Sequence, residues 1–70
     1  MIVLAFDGYN YLVKTNSYDD RCYLVNTKLE VILGYDIPEK FMRYGNYVEF
    51  DMDRMSDKLR KLITKLLKKN

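Results

Sequence analysis

Met1-Ile-Val-Leu-Ala-Phe-Asp-Gly-Tyr-Asn-Tyr-Leu-Val-Lys-Thr15 joins a continuous apolar run to an alternating segment through an Asp-Gly pair. An apolar run of this length suits a strand buried on both faces. Asp7-Gly8 between two such segments is a strong hairpin signal, because a type I′ turn needs positive φ at both central positions and Gly takes it freely. Beyond the turn, Tyr9, Tyr11 and Val13 fall on one face and Asn10, Leu12 and Lys14 on the other. The first fifteen residues therefore predict a β-hairpin over Met1–Phe6 and Tyr9–Thr15.

Working outward, residues 16–20 (Asn-Ser-Tyr-Asp-Asp) read as a polar turn, and Cys22–Val25 as a third strand that completes a meander. The next segment carries two competing patterns. Thr27 and Glu30 have the spacing of a capping box, and Gly34 stands where a helix would end, so a short helix is expected over 27–33. Against it, Leu29, Val31 and Leu33 alternate with Glu30 and Ile32, the pattern of a strand. Asp36-Ile-Pro38 starts another helical turn, with Pro near its first position, Gly45 ending it, and Phe41, Met42 and Tyr44 on its buried side. Tyr47–Asp53 alternates strictly: Val48, Phe50 and Met52 on one side, Tyr47, Glu49, Asp51 and Asp53 on the other.

The chain closes on an amphipathic helix capped by Asp53 or Ser56. Met55, Leu59, Leu62, Ile63, Leu66 and Leu67 fill an arc of about 140°, the width of a helix laid on a core. Opposite them Lys58, Lys61, Lys65 and Lys68 form a ridge about 15 Å long at the helical rise. The expected fold is α+β: a three- or four-stranded, mainly antiparallel sheet packed by this helix, with one or two short helices between.

Seventy residues make one domain with a thin core, and residues 1–70 are read as that domain. A chain of this size leans on a staple or a partner, so a homodimer fits. The single cysteine, Cys22, excludes an intrachain disulfide and a multi-Cys zinc site, and it suits a reducing cytoplasm. Neither a secretory leader nor a run of about twenty apolar residues is expected here, which points to a soluble protein away from the membrane.

The net charge of +2 conceals an asymmetry. Residues 57–70 hold six bases against one acid, and residues 1–56 hold six bases against nine acids. This is a mildly acidic body with a basic tail. Lysines outnumber arginines eight to four, and Asn, Tyr, Asp and Met are plentiful, a composition that fits a low-GC genome such as that of a phage or other mobile element.

Catalytic chemistry has little to stand on. There is no histidine, so the commonest general base and metal ligand is missing and Cys22 has no imidazole to activate it. Gly8, Gly34 and Gly45 are isolated and match neither a phosphate loop nor a dinucleotide fingerprint. Carboxylates two apart on a strand stand about 6.6 Å from each other, too far to converge on a cation by themselves. No enzyme, cofactor or metal is expected.

What remains is binding. Seven tyrosines suit an interface, where the ring is buried and the hydroxyl stays wet. The candidate partner-binding residues are Tyr9, Tyr11 and Tyr47, the carboxylates Glu49, Asp51 and Asp53, and the lysines Lys58, Lys61, Lys65 and Lys68. Patches of both signs fit a small non-catalytic regulator or inhibitor of another protein. The alternative is a nucleic-acid-binding protein that uses the lysine ridge.

Overall fold

The computed structural model describes residues 2–43, 45–50 and 52–68, with Met52 described by its backbone alone. Its elements are β1 (Ile2–Asp7), β2 (Asn10–Lys14), β3 (Cys22–Asn26), β4 (Val31–Asp36), α1 (Pro38–Met42), β5 (Val48–Glu49), a 3₁₀ turn over Met52–Arg54, and α2 (Asp57–Lys68). The strands form one antiparallel sheet in the order β4-β3-β2-β1-β5. The α+β fold stands, with one short helix and a 3₁₀ turn before the C-terminal helix, but the sheet has five strands rather than three or four because Val31–Asp36 and Val48–Glu49 both join it.

The first hairpin forms one residue out of the expected register. Asp7 pairs with Asn10, so the two central turn residues are Gly8 and Tyr9. Only Gly8 has positive φ (+61°), the signature of a type II′ turn, in which Gly takes the first central position. Tyr9 is thereby lifted out of β2 to the tip of the hairpin.

β1 carries a bulge: Val3 pairs with Val13, Ala5 with Leu12, and Leu4 is the extra residue. Strict alternation would put Val3 and Phe6 on opposite faces. The bulge resets the phase, so Val3 and Phe6 both lie under α2 while Leu4 and Ala5 face the other way. The apolar run is thus buried on both sides.

Residues 27–33 do not form a helix; 27–30 are a turn and Val31–Asp36 is β4, which corrects the capping-box expectation. Thr27 does not cap anything. Its amide and hydroxyl both donate to the Tyr9 carbonyl, at 2.8 and 3.1 Å, tying the tips of the two hairpins together. The Leu29 amide donates to Asn26 Oδ1 at 2.7 Å, and Glu30 turns the chain with φ +56°. A seven-residue helix would have little cooperativity of its own, whereas β4 gains a ladder of five residue pairs with β3.

The segment 47–53 is also shorter than its alternation implies. Pairing to β1 covers Glu49 and Val48 only, extended by the Phe50 amide donating to the Leu4 carbonyl at 3.2 Å. The chain then turns into the 3₁₀ segment. Phe50 faces α2 and Tyr47 the opposite side, as the alternation requires, but Val48 is exposed because β5 is the sheet edge.

α2 follows its sequence pattern. The Leu59 amide donates to Ser56 Oγ at 3.2 Å, so Ser56 is the cap. Ile63 and Leu66 are buried with Val3, Tyr11, Val13, Val25 and Met55, while Leu59, Leu62 and Leu67 pack around them. Phe6, Tyr11 and Phe50 close one end of this core, with ring centroids 4.9–5.7 Å apart.

A second, smaller core lies on the far side of the sheet. Ala5, Leu12 and Cys22 are buried there, covered by Leu4, Leu24, Phe41 and Tyr47. α1 begins with Pro38 at its first turn, as expected, and delivers Phe41 over Gly34, where a Cβ would stand 3.1 Å from the ring. Met42 is exposed, and Tyr44 lies outside the described residues. Among the described residues no helix is long and apolar enough to cross a membrane.

Candidate binding groove

The two hairpin tips and the start of α2 enclose an open groove of about 480 Å³. Each wall follows from local chemistry. Gly8 presents Tyr9, which is 57% exposed with Lys28 Nζ 5.4 Å from its ring centroid. The left-handed turn at Glu30 presents Lys28 and Leu29 beside it. The Ser56 cap sets the phase of α2 so that Lys58, Leu59 and Leu62 form the third side. A smaller recess of about 310 Å³ adjoins it, sharing Glu30 and Leu62 and adding Leu29, Lys65 and Leu66.

The groove has an apolar floor and a basic rim. Leu59 and Leu62 are half-buried at its base, and Leu29 is 66% exposed on its wall. Lys28 and Lys58 line the groove and Lys65 the adjoining recess, with one acid, Glu30, common to both. Farther round α2, Arg60, Lys61, Thr64, Lys65 and Lys68 surround a second open recess of about 450 Å³. Among the described residues, Lys58, Lys61, Lys65 and Lys68 make no ion pair.

Of the residues singled out from sequence, the structure therefore brings Tyr9 and Lys58 together and extends them through Lys65. Lys61 and Lys68 share the outer stripe. Tyr11 is 8% exposed, its hydroxyl pKa raised by burial, and it supports the groove from within rather than offering a free ring. Tyr47 lies on the opposite face against Ala5, Leu12 and Cys22, its pKa raised by burial and then by Asp7. The three tyrosines do not form one platform.

Among the described residues, the two carboxylates of the expected row stand in different elements. Glu49 ends β5, Asp53 lies in the 3₁₀ turn, and Asp51 is outside the described residues. Among the described residues no three His, Cys, Asp or Glu side chains gather where they could hold a metal ion.

Lys28 and Leu29 were not visible as groove residues in the sequence, because their placement depends on 27–30 being a turn. A further cluster joins residues sixteen positions apart, Asp19 and Tyr35, through Arg21. Arg21 grips both oxygens of Asp19 through Nε and Nη2 at 3.1 Å and lies 4.8 Å over the Tyr35 ring, while Tyr35 donates its hydroxyl to Asp19 Oδ2. Arg21 first, then Tyr35, holds the Asp19 carboxyl well below the usual range. These charges satisfy one another and pin the 16–21 loop to the sheet.

Cys22 is buried, and burial first, with Glu39 adding, pushes its thiol up to about 11. It is a packing group rather than a nucleophile. The raised value has a sign. Stability from the neutral thiol is complete below its ordinary value of 9.0 and is lost as pH climbs toward 11. Wild type should therefore lose about 2 kcal/mol more than Cys22→Ala between pH 9 and 11. Urea unfolding of both proteins across that range checks this, the difference cancelling the tyrosines they share.

Compared with protein-family models, curated proteins and solved structures, the chain matches none.

Proposed function

We propose that this chain is a small non-catalytic regulator or inhibitor that acts by binding another protein, and that the partner sits in the groove between the hairpin tips and α2. The observation that carries the reading is convergence. Tyr9, Lys28 and Lys58 border the groove, and the exposed Leu29 and Lys65 border an adjoining recess that shares Glu30 and Leu62 with it. Apolar anchors inside a charged rim are how protein interfaces combine affinity with selectivity. A lone cysteine, Cys22, favours a reducing cytoplasm as the setting of this activity.

The test is the double variant Lys58→Glu/Lys65→Glu. Both side chains are exposed, and the two changes act on the helix dipole in opposite directions, so the fold is expected to survive. Retention of a specific partner from nuclease-treated lysate should fall at least tenfold, with circular dichroism unchanged. A partner held equally by wild type and variant would overturn this site.

A second reading has its own observation. Lys61, Lys65 and Lys68 share the outer recess of α2 with Arg60, an arrangement able to follow phosphates. It requires binding to duplex or single-stranded probes that weakens steeply as salt is raised from about 50 to 200 mM. Probes that do not bind even at the lower salt would exclude it.

A further inference from the structure

We infer that the segment this groove accepts is acidic and amphipathic, with an apolar side chain flanked by two carboxylates; this rests on the groove being the protein-binding site. The spacing comes from α2. Lys58 and Lys65 are seven residues apart, which places their attachment points about 10.5 Å apart along one stripe of the helix. Leu62 lies between them along the axis, about 50° round the helix toward the apolar face, and lines both the groove and the adjoining recess. A partner that matches charge to charge therefore carries acids about 10 Å apart with an apolar residue between. On a helix, that is Glu at i and i+7 with Leu at i+3 or i+4.

The apolar surface favours such a segment over a nucleic acid. The lining carries three lysines and one acid, a net positive charge that draws an anionic partner. Leu29 and Tyr9 offer apolar area that a phosphate backbone leaves unused, whereas a leucine side chain covers it. Lys28 has its ammonium over the Tyr9 ring, so one wall of the site is already ordered.

The probe is a synthetic helical peptide of about sixteen residues, long enough to hold helix, with Glu at i and i+7 around a Leu pair. Its twin has Lys in place of both Glu residues. Fluorescence anisotropy should show the acidic peptide binding at least tenfold tighter than the basic one. Lys58→Glu/Lys65→Glu should reverse that preference, a swap that a general loss of folding cannot produce.

Equal binding of the two peptides, or of neither, overturns the inference. So does a single-stranded oligonucleotide that displaces the acidic peptide at matched charge, since the site would then read charge alone. Light scattering that finds a dimer dissolved by the double variant would also overturn it, by assigning the groove to a second copy. If the peptides fail while a lysate partner still depends on Lys58 and Lys65, only this inference falls. If that partner is insensitive as well, the binding site proposed above falls with it.

Discussion

A chain stopped after Met55 should not fold. α2 supplies Leu59, Leu62, Ile63, Leu66 and Leu67 to one face of the sheet, and two of these are buried outright. At about 1.5–3 kcal/mol for each fully buried aliphatic side chain, and less for the half-buried ones, the helix contributes on the order of 10 kcal/mol. A domain of this length has roughly 4–10 kcal/mol in total. The lost term is as large as the whole. The truncated sheet would also leave Val3, Tyr11, Val13 and Val25 facing water on one side. The expected result is a far-ultraviolet spectrum without ordered structure and no cooperative melt. Adding a synthetic peptide of residues 56–70 should restore both, because it returns the missing face without the covalent link. A truncated chain that still melts cooperatively would show that the sheet does not depend on α2.

The same helix shows why parts of this fold could be read from sequence and others could not. Residues 55–67 carry their own period, and every apolar position in that arc points inward. The first hairpin also announces itself, since two runs and a glycine need no distant information. Its register slipped by one because Asp7-Gly8 and Gly8-Tyr9 are both acceptable turn pairs, and the ladder chose between them. Thr27 is a harder case. Its hydroxyl has a local use as a helix cap and a distant one at the Tyr9 carbonyl, eighteen residues away, and nothing nearby in sequence reveals the second.

The groove inherits that limit. Lys58 and Lys65 were legible as the polar side of an amphipathic helix, and Tyr9 as a residue beside a turn. Lys28 and Leu29 entered only when residues 27–30 proved to be the tip of a second hairpin. For the segment 47–53, alternation persists in the sequence beyond Glu49, but β1 pairs with Val48 and Glu49 and then bulges at Leu4, and the chain leaves the ladder for the 3₁₀ turn. Glu49 and Asp53 then separate into different local structures, and the acidic strand face dissolves.

Leu12→Ala should cost about 3 kcal/mol, nearly as much as a truncation in the main core, although no residue of α2 packs over Leu12. Leu12 is fully buried between Ala5 and Cys22, beneath Phe41 and Tyr47. The sheet backbone fixes one wall of that space and α1 the other, so the surroundings can only partly collapse into the cavity. The urea midpoint should fall by a third or more with the slope unchanged, the pattern of lost stability in an intact two-state domain. If Phe41 and Tyr47 covered this face only loosely, water would reach position 12 and the cost would drop below about 1 kcal/mol. Combining Leu12→Ala with Ile63→Ala sharpens the test. The two side chains lie on opposite faces of the sheet and share no core. Their costs should add within about 0.5 kcal/mol, as for independent sites. A coupling beyond that would mean the two cores yield together, so that the sheet transmits strain from one face to the other.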